Sequence, residues 1–408
     1  MKVNWKRNVI ILAFSEFLIR GMMTLIRPFI SLYLPELGVS GAEELAFWTG
    51  VLTSVNFVAQ ALVSPVWGIL ADRYGRKYMV LRCVIFMGIF NLFLAAVGNV
   101  YQFLVLRFLM GAISGFNAAA IAMVATTTPD EHMGYAVGMI QTGFMAGTIF
   151  GPAVGGIIAD FVGYRGSFIV AGIVILILTP LLIFGVQEEF SLPTNADKKT
   201  KNNIGIGILK GNSTVIRFLI IIIIAQFSIQ SADAFIPLFV QDIYRGKDLN
   251  LVVSLIYGAT AVASVIMAPM LGKLGDVYGG TTILVICLLG LGVTTLPQAL
   301  LHDVILLGGL RLVAGVFVGG IVPSINAVIA KTTNQQNRGS VLGLSASATA
   351  IGNFAGPMLG GILAAKAGIA AVFMVAGTIV IVTATYLFFI RNQEKYKAYP
   401  VPPGKVQR

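Results

Sequence analysis

Three charged side chains lie inside the first long apolar run of the chain, in the stretch SEFLIRGMMTLIRPF at residues 15–29. Because an α-helix turns about 100° per residue, Glu16, Arg20 and Arg27 fall within about 40° of one another, and Met23 lies on the same stripe. An unpaired charge facing lipid costs about 2.5–3.5 kcal/mol, so we expect the stripe to face a polar interior. A carboxyl group beside a cation in such an interior is suited to take up a proton on one side and release it on the other.

A second acid, Asp233, lies within another apolar run, in the stretch FSIQSADAFIPLF. The other acidic residues fall in predicted loops or at predicted helix ends, which leaves Glu16 and Asp233 as candidates for proton transfer. Glu16 is the first of the two, because Arg20 lies one turn away. The alternative is that these groups are static. In that case Glu16 pairs with Arg20 along the helix, and Asp233 pairs with Arg27 to tie two parts of the molecule together.

The elements that must position these residues are membrane spans. The chain has 408 residues, of which 57% are hydrophobic and 11% charged, and its mean hydropathy is +0.88. A soluble globular domain has about a quarter of its residues charged, so this composition excludes that class. Apolar runs of about 20 residues, long enough to cross a hydrocarbon core as helices, recur along the whole chain. The sequence predicts an all-α membrane protein with twelve spans, at 8–34, 46–70, 78–97, 101–125, 136–159, 165–187, 215–243, 251–271, 281–300, 304–330, 339–363 and 369–390.

The net charge of +11 has an explanation in membrane topology rather than in nucleic-acid binding. With an even number of spans both termini lie on one side, and roughly two-thirds of the Lys and Arg residues fall on that side. Basic residues collect on the cytoplasmic side of membrane proteins, so both termini are predicted to be cytoplasmic. The two cysteines, Cys83 and Cys287, lie within predicted spans, so neither a disulfide framework nor a thiolate metal site is expected.

The two halves of the chain repeat one plan. GILADRYGRK at 68–77 matches GKLGDVYGGT at 272–281, and GTIFGPAVGG at 147–156 recurs as GNFAGPMLGG at 352–361. These landmarks occur in the same order at nearly constant spacing. The repeat predicts two six-span bundles of one architecture, with a substrate site at their interface.

The same repeat relates individual charged residues. Arg107 in span four matches Arg311 in span ten, and aligning PFISLYL with AFIPLFV places Asp233 opposite Arg27. Arg107 lies several residues into its span, where a charge is costly unless the side chain snorkels or finds a partner. The predicted division of the chain is a first bundle at 1–187, a cytoplasmic linker at 188–214, and a second bundle with a cytoplasmic tail at 215–408.

These motifs resemble those of the major facilitator superfamily. GILADRYGRK is similar to the loop 2–3 signature G-x-L-A-D-R-x-G-R-K, and GTIFGPAVGG is similar to the antiporter motif G-x-x-x-G-P-x-x-G-G that is common among exporters. Arg107 with Gly111 resembles the span-four motif R-x-x-x-G of proton-coupled members. The resemblance covers essentially the whole chain and is nearest to twelve-span bacterial multidrug:proton antiporters. It implies a monomeric exporter in the bacterial inner membrane that moves small hydrophobic or amphipathic compounds by alternating access, driven by protons and without a cofactor.

The resemblance also implies roles for the two motifs. Contacts of the loop 2–3 signature would hold the cytoplasmic side closed, and the glycine–proline motif would bias the bundle toward export and limit proton leak. Small residues at four-residue spacing also let two membrane helices approach closely, which is the simpler explanation of that motif. The gate residues are Gly68, Asp72, Arg73, Gly75, Arg76, Lys77 and Asp276; the antiporter-motif residues are Gly147, Gly151, Pro152, Gly155, Gly156, Gly356 and Pro357.

Other polar residues within the predicted spans are candidates for the wall of a central cavity, although amides also join helices to one another. The predicted proton-coupling residues are Glu16, Asp233 and Arg107. The predicted cavity residues are Arg20, Met23, Arg27, Asn56, Gln60, Asn117, Gln141, Gln226, Gln230 and Asn326.

The sequence leaves three alternatives to proton-driven export of hydrophobic compounds. Two cavity arginines suit a carboxylate or phosphate better than a lipophilic cation, so an exporter or flippase of an anionic metabolite or lipid-linked headgroup is the main alternative. The complete glycine–proline motif argues against an uptake symporter. A membrane enzyme is disfavoured because His132 and His302 lie in loops, and the spans show neither paired catalytic acids nor a metal-ligand pair.

Overall fold

The computed structural model describes residues 4–188, 213–333 and 338–398, and these residues form an all-helical protein. We label the long helices α1 to α12 in chain order. They are α1 Trp5–Leu25, α2 Ala42–Tyr74, α3 Arg76–Ala95, α4 Val100–Ile113, α5 Phe116–Thr127, α6 Met133–Gly185, α7 Ser213–Ile243, α8 Leu249–Tyr278, α9 Gly280–Thr295, α10 Val304–Thr332, α11 Arg338–Ala367 and α12 Ile369–Ala398.

The described helices account for the twelve predicted crossings. Eleven helical stretches in the described residues are long and apolar enough to span a membrane. One of them, Asp130–Gly185, has 56 residues and crosses twice, because α6 leaves helical geometry at Gly163, where φ is +71°. Glycine adopts this conformation without the steric cost that a side chain would bring. The predicted all-α architecture is confirmed. Most of the predicted linker, 188–214, lies outside the described residues.

The first span is less regular than the continuous helix predicted at 8–34. α1 ends at Leu25, and the chain continues through a 3₁₀ turn at Arg27–Phe29. The physical reason is Pro28, which has no N–H to donate and restricts the preceding residue away from helical geometry. Arg27 therefore lies just beyond the helix that carries Glu16.

The fourth span, predicted at 101–125, consists of two helices. α4 ends at Ile113 and α5 begins at Phe116. Between them Ser114 is extended and Gly115 has φ +130°, a value that side chains other than glycine rarely adopt. The break turns the first residues of α5 toward the cavity described below.

The repeat found in the sequence is visible in the turns between helices. The predicted loop at 71–77 is reduced to a single residue, because α2 continues to Tyr74 and α3 starts at Arg76. Gly75 between them has φ +93°, and its repeat equivalent Gly279, between α8 and α9, has φ +91°. A glycine is needed at both positions because the two helices meet across one left-handed residue.

Close-packed glycine seams join α1 to the first half of α6. A Cβ atom added to Gly147 would lie 2.5 Å from the carbonyl oxygen of Phe17, and one added to Gly151 would overlap Thr24 Oγ1. The Thr24 hydroxyl also donates a hydrogen bond to the Gly147 carbonyl at 3.1 Å. Glycines spaced by four residues thus give α1 and α6 backbone contact, as small residues do in membrane interfaces.

The second bundle repeats this seam between α7 and α11. A Cβ on Gly356 would lie 2.6 Å from the carbonyl oxygen of Phe227, and the Ser231 hydroxyl donates to the Gly356 carbonyl at 2.9 Å. Pro152 and Pro357 lie at matching positions inside α6 and α11. The predicted packing of both motif copies is therefore present in the structure.

The last glycine of each motif faces the opposite bundle. A Cβ on Gly156 of α6 would lie 2.8 Å from the carbonyl oxygen of Asn250 on α8. One on Gly361 of α11 would lie 3.0 Å from the Cα of Gly50 on α2. Asn250 strengthens the first of these contacts by donating to Asp160 Oδ1 at 2.8 Å. The motif thus packs each bundle internally and also joins the bundles to each other.

The bundles meet at one membrane face. We call the face at which α1 and α7 begin the terminal face, and the opposite one the far face. The apolar clusters near the terminal face each belong to one bundle, for example Val9 with Val186 in the first and Val215 with Leu387 in the second. Described clusters that mix the bundles, such as the one containing Phe29 and Ile236, lie toward the far face. The described conformation is therefore closed at the far face.

A glycine substitution in the first seam is expected to destabilise the protein. For Gly151→Ala we expect a loss of about 1–3 kcal/mol in the free energy of unfolding, because the new Cβ overlaps Thr24 and the backbone of Gly21. The matched control is Gly138→Ala on the same helix, where a Cβ meets no atom within 4 Å. Thermal unfolding of the purified proteins measures both. Equal unfolding temperatures for the two variants would contradict the close-packed seam.

Candidate functional site

A cavity of about 280 Å³ with charged, amide and apolar side chains in its wall lies among the helices of the first bundle, and two residues of the second bundle also line it. Its wall comes from α1, α2, α3, α4, α5 and α6, with Gln230 of α7 and Asn353 of α11 completing it. The stripe predicted from the sequence faces it, since Glu16, Arg20 and Arg27 all line the cavity. Of the ten predicted cavity residues, those that line it are Arg20, Met23, Arg27, Asn56, Gln60, Asn117 and Gln230.

Glu16 is a buried carboxyl that forms no ion pair with any residue in the described part of the chain. Its residue surface is 3% exposed, and Asn117 Nδ2 of α5 donates to Glu16 Oε1 at 3.2 Å. The other oxygen, Oε2, has no hydrogen-bond partner in the described residues. The static ion pair with Arg20 is not formed. No Arg20 nitrogen lies within 4.0 Å of a Glu16 carboxylate oxygen.

Arg20 turns away from Glu16 toward α6. Its Nε donates to Thr148 Oγ1 at 3.1 Å, and its guanidinium group lies 4.2 Å from the ring centroid of Phe144. The α1–α6 seam makes this contact possible, because a side chain at Gly147 would collide with Arg20 Cβ. Arg20 is therefore held by neutral groups.

The structure does not contain the ion pair between Asp233 and Arg27 that the static alternative required. Asp233 pairs instead with Arg311 on α10 of its own bundle, and the hydroxyl of Tyr257 donates to its backbone carbonyl. Arg27 reaches across to α7 one turn earlier, where Nη2 donates to Gln230 Oε1 at 2.6 Å. A contact between the bundles exists as expected, but an amide provides it. The one-turn offset was not visible in the alignment.

Arg107 is buried at 9% exposure, so it does not snorkel to the surface. With the amide of Asn56 turned to face it, Asn56 oxygen accepts from Arg107 Nη2 at 2.9 Å, while Nε has no partner in the described residues. Gly111, one turn further along α4, packs against the backbone of Asn56, where a Cβ would lie 2.7 Å from its Cα. The R-x-x-x-G spacing thus lets Arg107 and Gly111 contact the same α2 residue, Asn56. Arg107 contacts it through the guanidinium group, and Gly111 through close backbone packing.

Three predicted cavity residues lie away from this cavity. Asn326 Oδ1 of α10 accepts a hydrogen bond from Ser345 Oγ of α11 at 2.7 Å. Gln226 packs against α11, where its Cβ lies 2.6 Å from a Cβ built on Gly352. Gln141 is partly buried on α6 and is not among the lining residues. The amide of Asn326 thus joins α10 to α11, which is the other role open to such side chains in membranes.

The loop 2–3 signature is capped by a residue that the sequence did not single out. Both carboxylate oxygens of Glu188, just after α6, accept backbone N–H groups at the start of α3, from Arg76 at 2.8 Å and Lys77 at 2.7 Å. A carboxylate is favourable there because of the free N–H groups and the helix dipole. Lys77 Nζ in turn donates to the Ile183 carbonyl at 2.7 Å.

The remaining gate residues are only partly described. The side chain of Asp72 and the surroundings of Gly68 lie outside the described part of the structure. Arg73 is exposed, with its guanidinium 5.4 Å from the ring centroid of Tyr74. Asp276 forms an exposed ion pair with Lys331 at 3.2 Å. The gating role of the signature therefore stays a prediction.

Arg82 is a further buried cation that the sequence reasoning missed. Its guanidinium lies 3.4 Å from the ring centroid of Trp67, and its residue surface is 8% exposed. A cation on the face of an indole ring is attracted by the ring quadrupole. The signal was available, because Arg82 lies inside the apolar run predicted at 78–97.

The fold and the cavity define the class of protein. Two pseudo-symmetric six-span bundles, packed at one face around a polar cavity, are the architecture of secondary transporters. A family model described as the Major Facilitator Superfamily matches residues 12–249 and 244–406. The chain belongs to this superfamily, as its motifs had indicated, and it is a multi-pass membrane transporter.

Curated relatives and solved structures agree with this assignment. The chain is 34% identical over 398 residues to the multidrug resistance protein MdtG of Yersinia enterocolitica, covering 97% of this chain and 96% of that protein. It is 32% identical over 385 residues to MdtG of Escherichia coli, covering 94% of each. A bacterial homologue of the human lysosomal transporter Spinster, solved in an inward-facing and unoccupied conformation, shares the fold with a TM-score of 0.78 at 15% identity, covering 98% of this chain and 99% of that one.

Proposed function

We propose that this chain is a proton-coupled exporter of the multidrug type, in which Glu16 carries the proton during alternating access. The observation that carries the proposal is Glu16 itself, a buried cavity carboxyl that has one neutral hydrogen-bond donor and, among the residues that the structure describes, no partner for its second oxygen. In such a position the protonated carboxyl is the more stable form when water is excluded, and the ionised carboxylate is the more stable form when water enters. The names of the MdtG relatives support export of drug-like compounds.

The mechanism follows from the way the two bundles meet. Rocking of the bundles about the cavity would separate the far-face contacts that Gly156 and Gly361 make and bring the terminal-face halves together. The Arg27–Gln230 hydrogen bond lies on this interface and must break or change partner when the bundles separate. Access to Glu16 then switches from one face to the other. A proton taken up from outside can be released inside in exchange for substrate.

The proposal also covers the orientation of the transporter in the membrane, its oligomeric state, its driving force and its substrates. Both termini lie in the cytoplasm of a bacterium, so the terminal face is cytoplasmic and the described conformation is open inward. The transporter acts as a monomer in the inner membrane, needs no cofactor and uses the proton gradient as its driving force. Substrates are small hydrophobic or amphipathic molecules, which suits a cavity with methionine and phenylalanine side chains beside its polar groups.

The proposal is tested by transport in everted membrane vesicles. Vesicles that contain the protein are given an imposed pH gradient, acid inside, and are screened with fluorescent dyes and small organic acids. We expect accumulation inside the vesicles that stops when a protonophore collapses the gradient. Vesicles without the protein are the control. Accumulation that is unchanged by the protonophore would contradict proton coupling, and equal uptake in control vesicles would contradict export.

A further inference from the structure

We infer that the cavity contains a subsite for one anionic group of the substrate, a carboxylate or a phosphate, between Arg27 and Arg107 with Arg20 beside them. The inference rests on the proposed function, because it names the chemical class that the exporter carries.

The repeat shows a missing acid in the first bundle. In the second bundle the span-ten Arg311 is neutralised by Asp233 of span seven. Arg107 of span four is the equivalent of Arg311, but the position equivalent to Asp233 is occupied by Arg27. The first bundle therefore has two cations where the second has an ion pair. Arg27 and Arg107 line the same cavity. A bound anion would complete the pair that the second bundle forms internally.

The cavity wall is positively charged as a whole. The titratable side chains that line it in the described part of the chain are three arginines and Glu16, a formal charge of +2 when the carboxyl is ionised. The arginines contact neutral groups: Thr148 and Phe144 for Arg20, and amides for the other two. Buried charges in proteins are normally paired or coordinated, because an isolated one is costly. Guanidinium groups match carboxylate and phosphate oxygens in geometry, so an anion is the ligand that would remove this cost.

The hydrogen-bond contacts of Arg107 and Arg27 leave both arginines able to bind an anion. Arg107 lines the cavity at 9% exposure, and its buried Nε has no hydrogen-bond partner among the described residues. Arg27 donates to Gln230, a neutral acceptor, and an anion would compete for the same guanidinium on electrostatic grounds. Because Gln230 belongs to the other bundle, binding of the anion would release a contact between the bundles. Binding of an anion in the subsite is therefore linked to separation of the two bundles.

The rest of the wall limits the size and character of the ligand. Met23, Met87, Met110, Phe57 and Phe116 line the same cavity of about 280 Å³. Methionine and aromatic side chains adapt to apolar ligands of varied shape. The structure therefore assigns the subsite to compact amphipathic anions, with the charged group at the arginines and the apolar body against these side chains.

The test is binding of three matched probes to the purified protein in lipid nanodiscs, without a proton gradient. The probes are 2-naphthoate, 2-naphthylmethylammonium and neutral 2-naphthamide, measured by equilibrium dialysis. We expect naphthoate to bind the wild type most tightly. Arg27→Gln should weaken naphthoate about ten-fold, the size of one charge-assisted hydrogen bond, and leave naphthamide unchanged. Arg27→Lys, which keeps the positive charge, should lose less affinity for naphthoate than Arg27→Gln does.

Controls separate this inference from folding and from the proposed function. Unchanged naphthamide binding shows that Arg27→Gln is folded, and Arg165→Gln, an arginine in a surface ion pair with Glu36, should leave all three affinities unchanged. Equal affinities of the wild type for the three probes, or an equal loss of all three in Arg27→Gln, would overturn the subsite. Proton-independent transport with the anion preference intact would overturn the proposed function alone.

Discussion

Replacement of Glu16 by glutamine is expected to abolish uphill, proton-driven export, with a loss of at least about 100-fold in the initial rate, as for removal of an essential proton carrier. Glutamine has the same shape, and its Oε1 can accept the hydrogen bond that Asn117 donates to Glu16, so the fold should be retained. The amide cannot take up and release a proton. Substrate exchange without a gradient should therefore persist, and the vesicle assay with an imposed pH gradient measures the difference.

The matched control is Glu131→Gln, the same substitution at an exposed acid in the turn before α6. It should export at the wild-type rate, because Glu131 does not line the cavity. If Glu16→Gln exports substrate uphill at the wild-type rate, Glu16 is not the proton carrier. A joint loss of uphill export and exchange would instead assign Glu16 to substrate binding.

Asp233→Asn is expected to destabilise the protein by about 3–5 kcal/mol, because it leaves Arg311 buried without its counter-charge. The Arg311 side chain is 5% exposed and that of Asp233 19% exposed, so water can replace little of the lost attraction. The double variant Asp233→Asn with Arg311→Gln removes both charges and should recover most of the stability. Thermal and denaturant unfolding of the purified variants measures the coupling between the two sites.

A surface pair on the same bundle supplies the control. Asp276 and Lys331 form an ion pair at 3.2 Å with side chains 73% and 63% exposed, and such pairs contribute less than about 1 kcal/mol. Asp276→Asn should therefore change stability only slightly. If the Asp233→Asn single variant and the double variant are equally unstable, the pair does not stabilise the bundle. If the double variant is stable and exports normally, Asp233 has no part in proton coupling.

Much of the fold was predictable because membrane insertion imposes simple rules. A span must be long and apolar, so the crossings could be placed from hydropathy, and the repeat indicated two bundles. The predictions were less accurate where the backbone is irregular. Pro28 ends the helical geometry before Arg27, and Gly115 interrupts span four between α4 and α5. A helix break inside an apolar run does not alter hydropathy, so the apolar pattern alone does not reveal it.

The sequence grouped part of the cavity wall but did not reveal how its side chains pair. Glu16, Arg20 and Arg27 were grouped by helix geometry, and the structure has all three on one cavity. Arg82 could have been found by the same reasoning, since a charge inside an apolar run needs a partner. Glu188 could not, because an acid near the end of a span has no distinctive pattern until α3 and α6 are seen together.

The sequence by itself determined that the chain crosses the membrane repeatedly, that its halves share one plan, and which charged residues must avoid lipid. These properties follow from the cost of exposing polar groups to hydrocarbon, which depends on each segment alone. Only the tertiary structure decided that Asp233 pairs with Arg311, that Arg27 contacts Gln230, and that Glu16 is hydrogen-bonded to Asn117 rather than paired with Arg20. Such pairings depend on the rotation and axial offset of whole helices, which are set by packing between segments and not by any one of them.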